Sequence, residues 1–341
     1  MRYGARRTMT ITLAMMASLV LAGTAAAQGH TSMHTESRMN GHHVSVHTTG
    51  EVRFTDDDRD VAYMEPGARM TIEEEVSGQP DRRVEYRNAG GGVQRRYFRD
   101  GEEVRPNADD EAWIRRALMH PIRESGVNAG PRALRIYRRG GVNAVLDEIR
   151  LIGSDGVKKA YYTALLGQTL RPGETARVLR DAGDRIGSDG EKHRTLAVLL
   201  ERRSIAAEEM VAMLDAASRI GSDGDKSRLL MAAASRYPLD DASVRAAFFR
   251  TAATIGSDGD KARVLMEALS RGSVRRDAVV DAIRTARTIG SDGDKSRVLM
   301  SVPEEFLGDR AVRSMFVQAM QGIGSDGDRS RVAMFLARSV S

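Results

Sequence analysis

The sequence has no cysteine among its 341 residues, and only 5% of its residues are aromatic. The absence of cysteine excludes disulfide bonds and thiolate metal ligands. Stability in an oxidising compartment must therefore come from packing, which stacked repeats can supply.

Common catalytic motifs are also absent from the sequence. It has no Gly-x-Ser-x-Gly elbow, no His-Glu-x-x-His pair and no phosphate-binding loop. We therefore expect a protein that is not an enzyme, with no catalytic residues, cofactor or metal site. A hydrolase with a convergent triad stays an alternative, because such a triad has no sequence signature.

The net positive charge of the sequence is small when the residues before Gln28 are not counted. Three of the 52 basic residues precede Gln28 and no acidic residue does, which leaves 49 basic against 47 acidic residues, a net charge of +2. Nucleic-acid binding needs concentrated positive charge, so we do not expect a nucleic acid as partner.

The first 27 residues have the features of a signal peptide. Three arginines precede an apolar run from about Thr8 to Gly23, and Ala25-Ala26-Ala27 forms a cleavage site. An uncleaved anchor is the competing interpretation, but the run is shorter than the ~20 residues that a bilayer span needs. We expect cleavage after Ala27, no stable membrane span afterwards, and a periplasmic or secreted protein.

Residues 28–42 are polar and are predicted to be flexible. Five of the seven histidines lie between His30 and His47. On one strand, His43 and His47 would stand ~13 Å apart, too far for a single metal ion. Weak chelation by a disordered segment remains the alternative.

Residues 43–106 alternate like β-strands and predict a small antiparallel meander with Gly-rich or Asp-rich turns. Residues 107–151 predict connecting helices, including a pair at about 131–139 and 142–151. The predicted strands are Val44–Phe54, Val61–Met64, Met70–Val76, Arg83–Tyr86 and Val93–Phe98.

The clearest pattern is the repeat motif Ile-Gly-Ser-Asp-Gly, which occurs six times. Its copies are spaced by 34, 34, 35, 34 and 34 residues, the length of two short helices and two turns. They begin at Ile152, Ile186, Ile220, Ile255, Ile289 and Ile323. Residues 152–341 are therefore predicted to be six helical repeats, the last one incomplete.

Each copy reads as a helix end followed at once by a helix start. In the third copy, Ile220 closes one helix, Gly221 is expected to adopt a left-handed turn, and Ser222 caps the next helix. Asp223 and Asp225 place carboxylates at the positive end of the helix dipole. The predicted cap serines are Ser154, Ser188, Ser222, Ser257, Ser291 and Ser325.

Apolar residues follow each cap at helical spacing, as in Leu265, Ala268 and Leu269, and must pack on neighbouring repeats. Pro303 is expected to end the first helix of the fifth repeat early. The predicted fold class is α+β, a small β-meander followed by an α-solenoid of helical hairpins.

Basic residues recur at two positions of the repeat and form a predicted basic ladder. One interpretation is a network of ion pairs between repeats, with the motif aspartates; the other is a docking stripe for an acidic partner. The candidate binding residues are Lys192, Arg194, Lys226, Arg228, Lys261, Arg263, Lys295 and Arg297. Calcium loops fit the motif less well, because each copy has only two or three carboxylates.

The motif Ser188-Asp189-Gly190-Glu191-Lys192 resembles the Ser-Asp-x-x-Lys helix starts of HEAT-like α-solenoids in exported or membrane-attached bacterial proteins. Some of these carry a metallopeptidase of the β-lactam-sensor type. This chain lacks that peptidase's zinc motif and membrane spans, so the resemblance implies the repeat fold without the activity.

These patterns predict a non-catalytic interaction or scaffold protein of the bacterial envelope. We expect it to bind a protein, a peptide or an envelope component on its repeat surface. The alternative is a module that docks on anionic lipid or polysaccharide through the basic ladder.

Overall fold

The structure is a computed structural model that describes residues 32–39, 42–124, 126–270 and 274–339. The predicted signal peptide, residues 1–27, lies outside the described residues. Of these described residues, those up to Leu118 belong to one compact unit, and those from Met119 belong to a second.

The first unit contains a six-stranded sheet in the order β1-β2-β5-β6-β7-β8, in which all neighbouring strands are antiparallel. Strands β3 and β4 form a separate two-stranded sheet. The strands are β1 (Ser32–Met39), β2 (His42–Thr49), β3 (Val52–Phe54), β4 (Val61–Met64), β5 (Arg69–Val76), β6 (Arg82–Asn88), β7 (Val93–Arg99) and β8 (Glu102–Glu103).

The segment predicted to be flexible, residues 28–42, instead contains strand β1. Its register runs from Ser32 opposite Thr49 to Met39 opposite His42. The sequence of β1, SMHTESRM, has no run of alternating apolar residues. The strand is therefore defined by its backbone pairing with β2, which a single-sequence pattern does not reveal.

Gly50 divides the predicted strand Val44–Phe54 into β2 and β3. It adopts φ 80°, and a Cβ there would lie 2.7 Å from Glu65 Oε1 and 2.8 Å from Ala68 Cβ. Only glycine avoids both the backbone strain and the clash. The β3–β4 hairpin is consequently inserted between β2 and β5, so the sheet is not the simple meander that we predicted.

Helix α1 (Ala108–Glu124) has a buried aspartate in its first turn. Asp110 is 1% exposed and accepts hydrogen bonds from the Tyr97 hydroxyl at 2.9 Å and the Asn107 N–H at 2.9 Å. Its partners satisfy the buried charge and fix the start of α1 against β7. Trp113 and Ile114 follow and are buried in the core of the first unit.

The second unit consists of helices. Gly141 interrupts α2 with φ 68° and ψ −166°, which agrees with the predicted break between two helices near this point. The helices are α2 (Ala129–Ile149), α3 (Asp155–Leu166), α4 (Glu174–Arg185), α5 (Asp189–Ala197), α6 (Ala207–Ala217), α7 (Asp223–Arg236), α8 (Ala242–Ala253), α9 (Asp258–Leu269), α10 (Arg276–Ala286), α11 (Asp292–Met300), α12 (Arg310–Gln321) and α13 (Asp326–Ser339).

Every repeat motif joins two helices, and its aspartate is the first residue of the second one. The helix after a motif is the first helix of its repeat: α3, α5, α7, α9, α11 or α13. Each first helix contacts the first helix of the next repeat, and α4, α6, α8, α10 and α12 contact one another in the same successive way. The chain is thus an α+β protein with a region of helical repeats.

The motif isoleucines are buried in a core that continues through the repeats. Five are 1% exposed and Ile152 is 4% exposed. Burying one isoleucine side chain contributes about 1.5–3 kcal/mol, so the isoleucine is a substantial packing element of each repeat.

The first helix of the fifth repeat ends three residues before Pro303, in keeping with the prediction, although α5 ends after the same number of residues without a proline. Helix α11 ends at Met300, whereas the equivalent helix α9 continues to Leu269. Proline lacks the N–H that a further helical turn requires. A short 3₁₀ turn, Glu304–Phe306, follows it.

Candidate interaction surface of the repeat motifs

The six predicted cap serines lie at the starts of the first helices. Each hydroxyl accepts a hydrogen bond from the backbone N–H three residues later, at 3.3–3.5 Å. These bonds satisfy one of the N–H groups left without a partner in the first helical turn. The aspartate after each serine is thereby held in a fixed position.

That motif aspartate binds the backbone of the following repeat. Asp258, for example, accepts hydrogen bonds from the N–H groups of Gly290 at 3.0 Å and Ser291 at 2.7 Å. The equivalent bonds are Asp155 to Gly187 and Ser188, Asp189 to Gly221 and Ser222, Asp223 to Gly256 and Ser257, and Asp292 to Ser325, at 2.7–3.1 Å. We call this contact the aspartate rung.

The first repeat receives the same contact from a different residue. Glu124, near the end of α1, accepts a hydrogen bond from the Gly153 N–H at 3.2 Å. A carboxylate from the preceding helix thus substitutes for the motif aspartate where no earlier motif exists.

The glycine of the motif is required for a reason other than the one we predicted. Gly221 does not adopt a positive φ, and neither do its equivalents. A Cβ on Gly221 would lie 3.1 Å from Asp189 Oδ2, and a Cβ on Gly290 would lie 3.1 Å from Asp258 Oδ2. The expected left-handed turn is therefore wrong, and close approach of the aspartate rung explains the glycine.

The lysine of the second to fifth motifs contacts the last residue of its own repeat. Lys192 Nζ donates to the Arg219 carbonyl at 2.9 Å, and Lys295 Nζ donates to the Gly322 carbonyl at 2.9 Å. Lys226 and Lys261 donate to the hydroxyls of Thr254 at 3.1 Å and Thr288 at 3.3 Å. The lysines therefore bind the segment that precedes the next motif.

This geometry changes the interpretation of the basic ladder. The four candidate lysines are 4–7% exposed, and their ammonium groups are directed toward the last residue of their own repeat. They do not lie on a docking surface. Charge-to-backbone hydrogen bonds join most repeats, in place of the lysine–aspartate ion pairs that we expected; Lys158 and Asp155, 2.9 Å apart within one helix, are an exception.

The electrostatics agree with these contacts. Hydrogen bonds from the N–H groups of Gly290 and Ser291 lower the pKa of Asp258. Burial lowers the pKa of Lys226. Burial opposes ionisation of Asp155, but bonds from Lys158 and the Ser188 N–H outweigh it and lower the pKa of that carboxyl. Charged aspartates are thus the form that the folded repeats stabilise.

A second acidic residue lies two positions after the motif aspartate, and in three repeats it contacts the preceding repeat. Lys159 Nζ lies 2.8 Å from Glu191 Oε2, the Ser227 hydroxyl donates to Asp260 at 3.4 Å, and His193 Nδ1 lies 3.8 Å from Asp225. These acids are Glu191, Asp225, Asp260, Asp294 and Asp328, and they are 13–20% exposed.

Each of these acids pairs with an arginine three residues later on the same helix. The arginines are Arg194, Arg228, Arg263, Arg297 and Arg331, which we call the arginine row. Their side chains are 59–61% exposed. The row therefore presents guanidinium groups to solvent, while the paired carboxylates lie deeper between the helices.

Other features of the surface are modest. A shallow depression of about 300 Å³ lies between α8 and α10 and is lined by Phe249, Arg250, Asp281, Arg284 and Thr285. Within the described ranges, no set of three or more His, Asp or Glu residues is placed to hold a metal ion. No helix in those ranges is long and apolar enough to span a bilayer.

No protein-family model, curated protein or solved structure matches the chain. The likeness to HEAT-like repeat proteins consequently depends on the residues of the motif itself.

Proposed function

We propose that this protein is an exported, non-catalytic interaction protein. In this proposal its repeats form an α-solenoid, and the arginine row binds an acidic segment of a protein or peptide of the cell envelope. The observation that carries the proposal is the unequal exposure of the charged groups: the aspartates bind the following repeat and the lysines bind the end of their own repeat, whereas the arginines extend into solvent.

Arginine suits this role because its planar guanidinium can donate two parallel hydrogen bonds to a carboxylate. Adjacent packed helices lie about 8–10 Å apart, so five arginines would repeat at that interval along the row. An extended acidic segment could therefore contact several of them at once. The guanidinium end of each ion pair in the row is exposed to solvent, so the arginines can turn from their own carboxylates to a partner at small cost.

The experiment is a capture assay from envelope extracts. We expect the wild-type protein to retain an acidic partner and the triple variant Arg228→Glu, Arg263→Glu, Arg297→Glu to lose it. A matched control, Arg177→Glu, Arg180→Glu, Arg287→Glu, carries the same charge change at three exposed arginines outside the row. Equal capture by both triple variants would contradict the proposal.

The exposed row also favours a second candidate, docking on anionic lipid or polysaccharide. Purely electrostatic docking should disappear at high salt, whereas a protein interface with packed contacts should be affected little. Sedimentation with anionic vesicles, at low and high salt, separates the two candidates.

A further inference from the structure

Two histidines of the first unit lie opposite each other on neighbouring strands. His34 of β1 is paired in register with His47 of β2. Their ring centroids are 5.6 Å apart, and the ring planes are inclined by 58°. Both residues are exposed. The pairing of β1 thus gives His47 a partner that spacing along one strand could not provide.

This separation is compatible with joint coordination of one metal ion. A tetrahedral ion binds imidazole nitrogen at about 2.0–2.1 Å, which places two ligating nitrogens about 3.3 Å apart. Ring nitrogens lie off the ring centroid, so facing nitrogens on these two rings can approach more closely than their centroids. Imidazole is a ligand suited to Zn²⁺ and Cu²⁺.

A third histidine on the same strands is engaged differently. His43 Nε2 lies 2.8 Å from Glu36 Oε1, and His43 Nδ1 lies 3.5 Å from Glu75 Oε2. Both nitrogens of this ring therefore face carboxylates. His43 is less available for coordination than His34 and His47, and it provides a matched control on the same strands.

We propose that His34 and His47 form a two-ligand site for a divalent transition-metal ion, Zn²⁺ or Cu²⁺. Water or an added ligand completes the coordination. Since β1 is at the edge of the six-stranded sheet, a bound ion would fasten this edge strand to β2. The site belongs to the first unit and does not depend on the function proposed for the repeats.

The test is calorimetric titration of the untagged, metal-free protein with ZnCl₂ and with CuCl₂. We expect one saturable equivalent, with Cu²⁺ binding more tightly than Zn²⁺. His34→Ala and His47→Ala should each weaken binding by about tenfold or more, since loss of even an outer-shell partner costs that much. His43→Ala should bind as the wild type does.

A second measurement distinguishes this site from chelation by other histidines. Bound metal should slow hydrogen exchange of the β1 amides in the wild type but not in His34→Ala. The proposal is overturned if no saturable binding occurs, or if His34→Ala and His47→Ala bind as tightly as His43→Ala. Circular dichroism verifies the fold of each variant, which we expect to be intact because both histidines are exposed.

Discussion

At the scale of single residues, the two glycines of each motif have different surroundings. Gly290 precedes the helix cap and lies against the Asp258 carboxylate, whereas Gly293 lies inside α11 with nothing within 4 Å of the position of a Cβ. Neither adopts a positive φ. An alanine substitution at each site therefore distinguishes two effects: contact of the new methyl with the Asp258 carboxylate, and the preference of alanine over glycine in a helix.

We predict that Gly290→Ala lowers the free energy of unfolding and that Gly293→Ala raises it. The new methyl at residue 290 would lie 3.1 Å from Asp258 Oδ2 and would displace a carboxylate held by two N–H groups. At residue 293, alanine should stabilise by up to about 1 kcal/mol, because it favours the helix over glycine. Urea unfolding of both variants measures the difference, and a stabilised Gly290→Ala would contradict the assignment.

The sequence predicted local features of the motif well and its contacts poorly. Ser222 as a cap follows from its place before a helix, because capping involves residues three apart. The role of Gly221 depends on Asp189, which lies 32 residues earlier in the chain. Patterns among neighbouring residues in the sequence do not show that these two residues meet in the fold. The neighbouring residues therefore favoured a left-handed turn at Gly221, but the structure shows that this prediction was wrong.

At the scale of elements, the aspartate rung joins the start of one first helix to the start of the next. Asp223 accepts bonds from Gly256 at 3.1 Å and Ser257 at 2.7 Å. Asp326 occupies the same motif position, is 88% exposed, and pairs with Arg329 of its own helix. The two aspartates thus share a sequence context but differ in their contacts with a following repeat.

We predict that Asp223→Ala lowers the free energy of unfolding by about 1–3 kcal/mol, because hydrogen bonds to a charged acceptor are lost. Asp326→Ala is the matched control and should change it little, since exposed ion pairs between neighbouring turns contribute little. Denaturant unfolding gives both values. Similar losses in the two variants would show that the aspartate acts within its own helix and not between repeats.

The sequence predicted the helices of the repeats better than it predicted the strands of the first unit. The helix boundaries followed from caps, apolar spacing and Pro303, which are all local. Strand β1 was missed because its stability depends on pairing with β2, and the break at Gly50 was missed because Glu65 and Ala68 approach it only in the folded chain.

At the scale of the whole molecule, the aspartate rungs should make stability depend on pH. The pKa values of Asp155 and Asp258 are lowered in the folded protein. A carboxyl with a lowered folded pKa contributes stability that is fully present above its unfolded pKa, near 3.9, and is lost as pH falls through the folded value.

We therefore predict that the free energy of unfolding declines as pH falls below about 4. Asp258→Asn should reduce the steepness of this decline, because one titrating rung is removed. Urea unfolding over a series of pH values provides the measurement. A free energy of unfolding that does not change between about pH 5 and pH 2 would be inconsistent with charged rungs.

The arrangement of the binding candidates could be predicted only in part. Periodicity placed lysines and arginines at two positions of the repeat, but it could not show that the lysine position is buried against the end of its own repeat. The distinction depends on a difference of two residues, for example Lys192 against Arg194, which changes the helix face by roughly half a turn.

The two basic positions of the repeat therefore have different roles: the lysine stabilises the fold, and the arginine lies in solvent. Urea unfolding of Lys192→Met and Arg194→Met tests this difference most directly, because both variants remove one positive charge from α5. We predict a loss of about 1–3 kcal/mol for Lys192→Met, whose ammonium is bound to the Arg219 carbonyl, and less than about 0.5 kcal/mol for Arg194→Met. Equal losses, or a larger loss for Arg194→Met, would contradict this difference in roles.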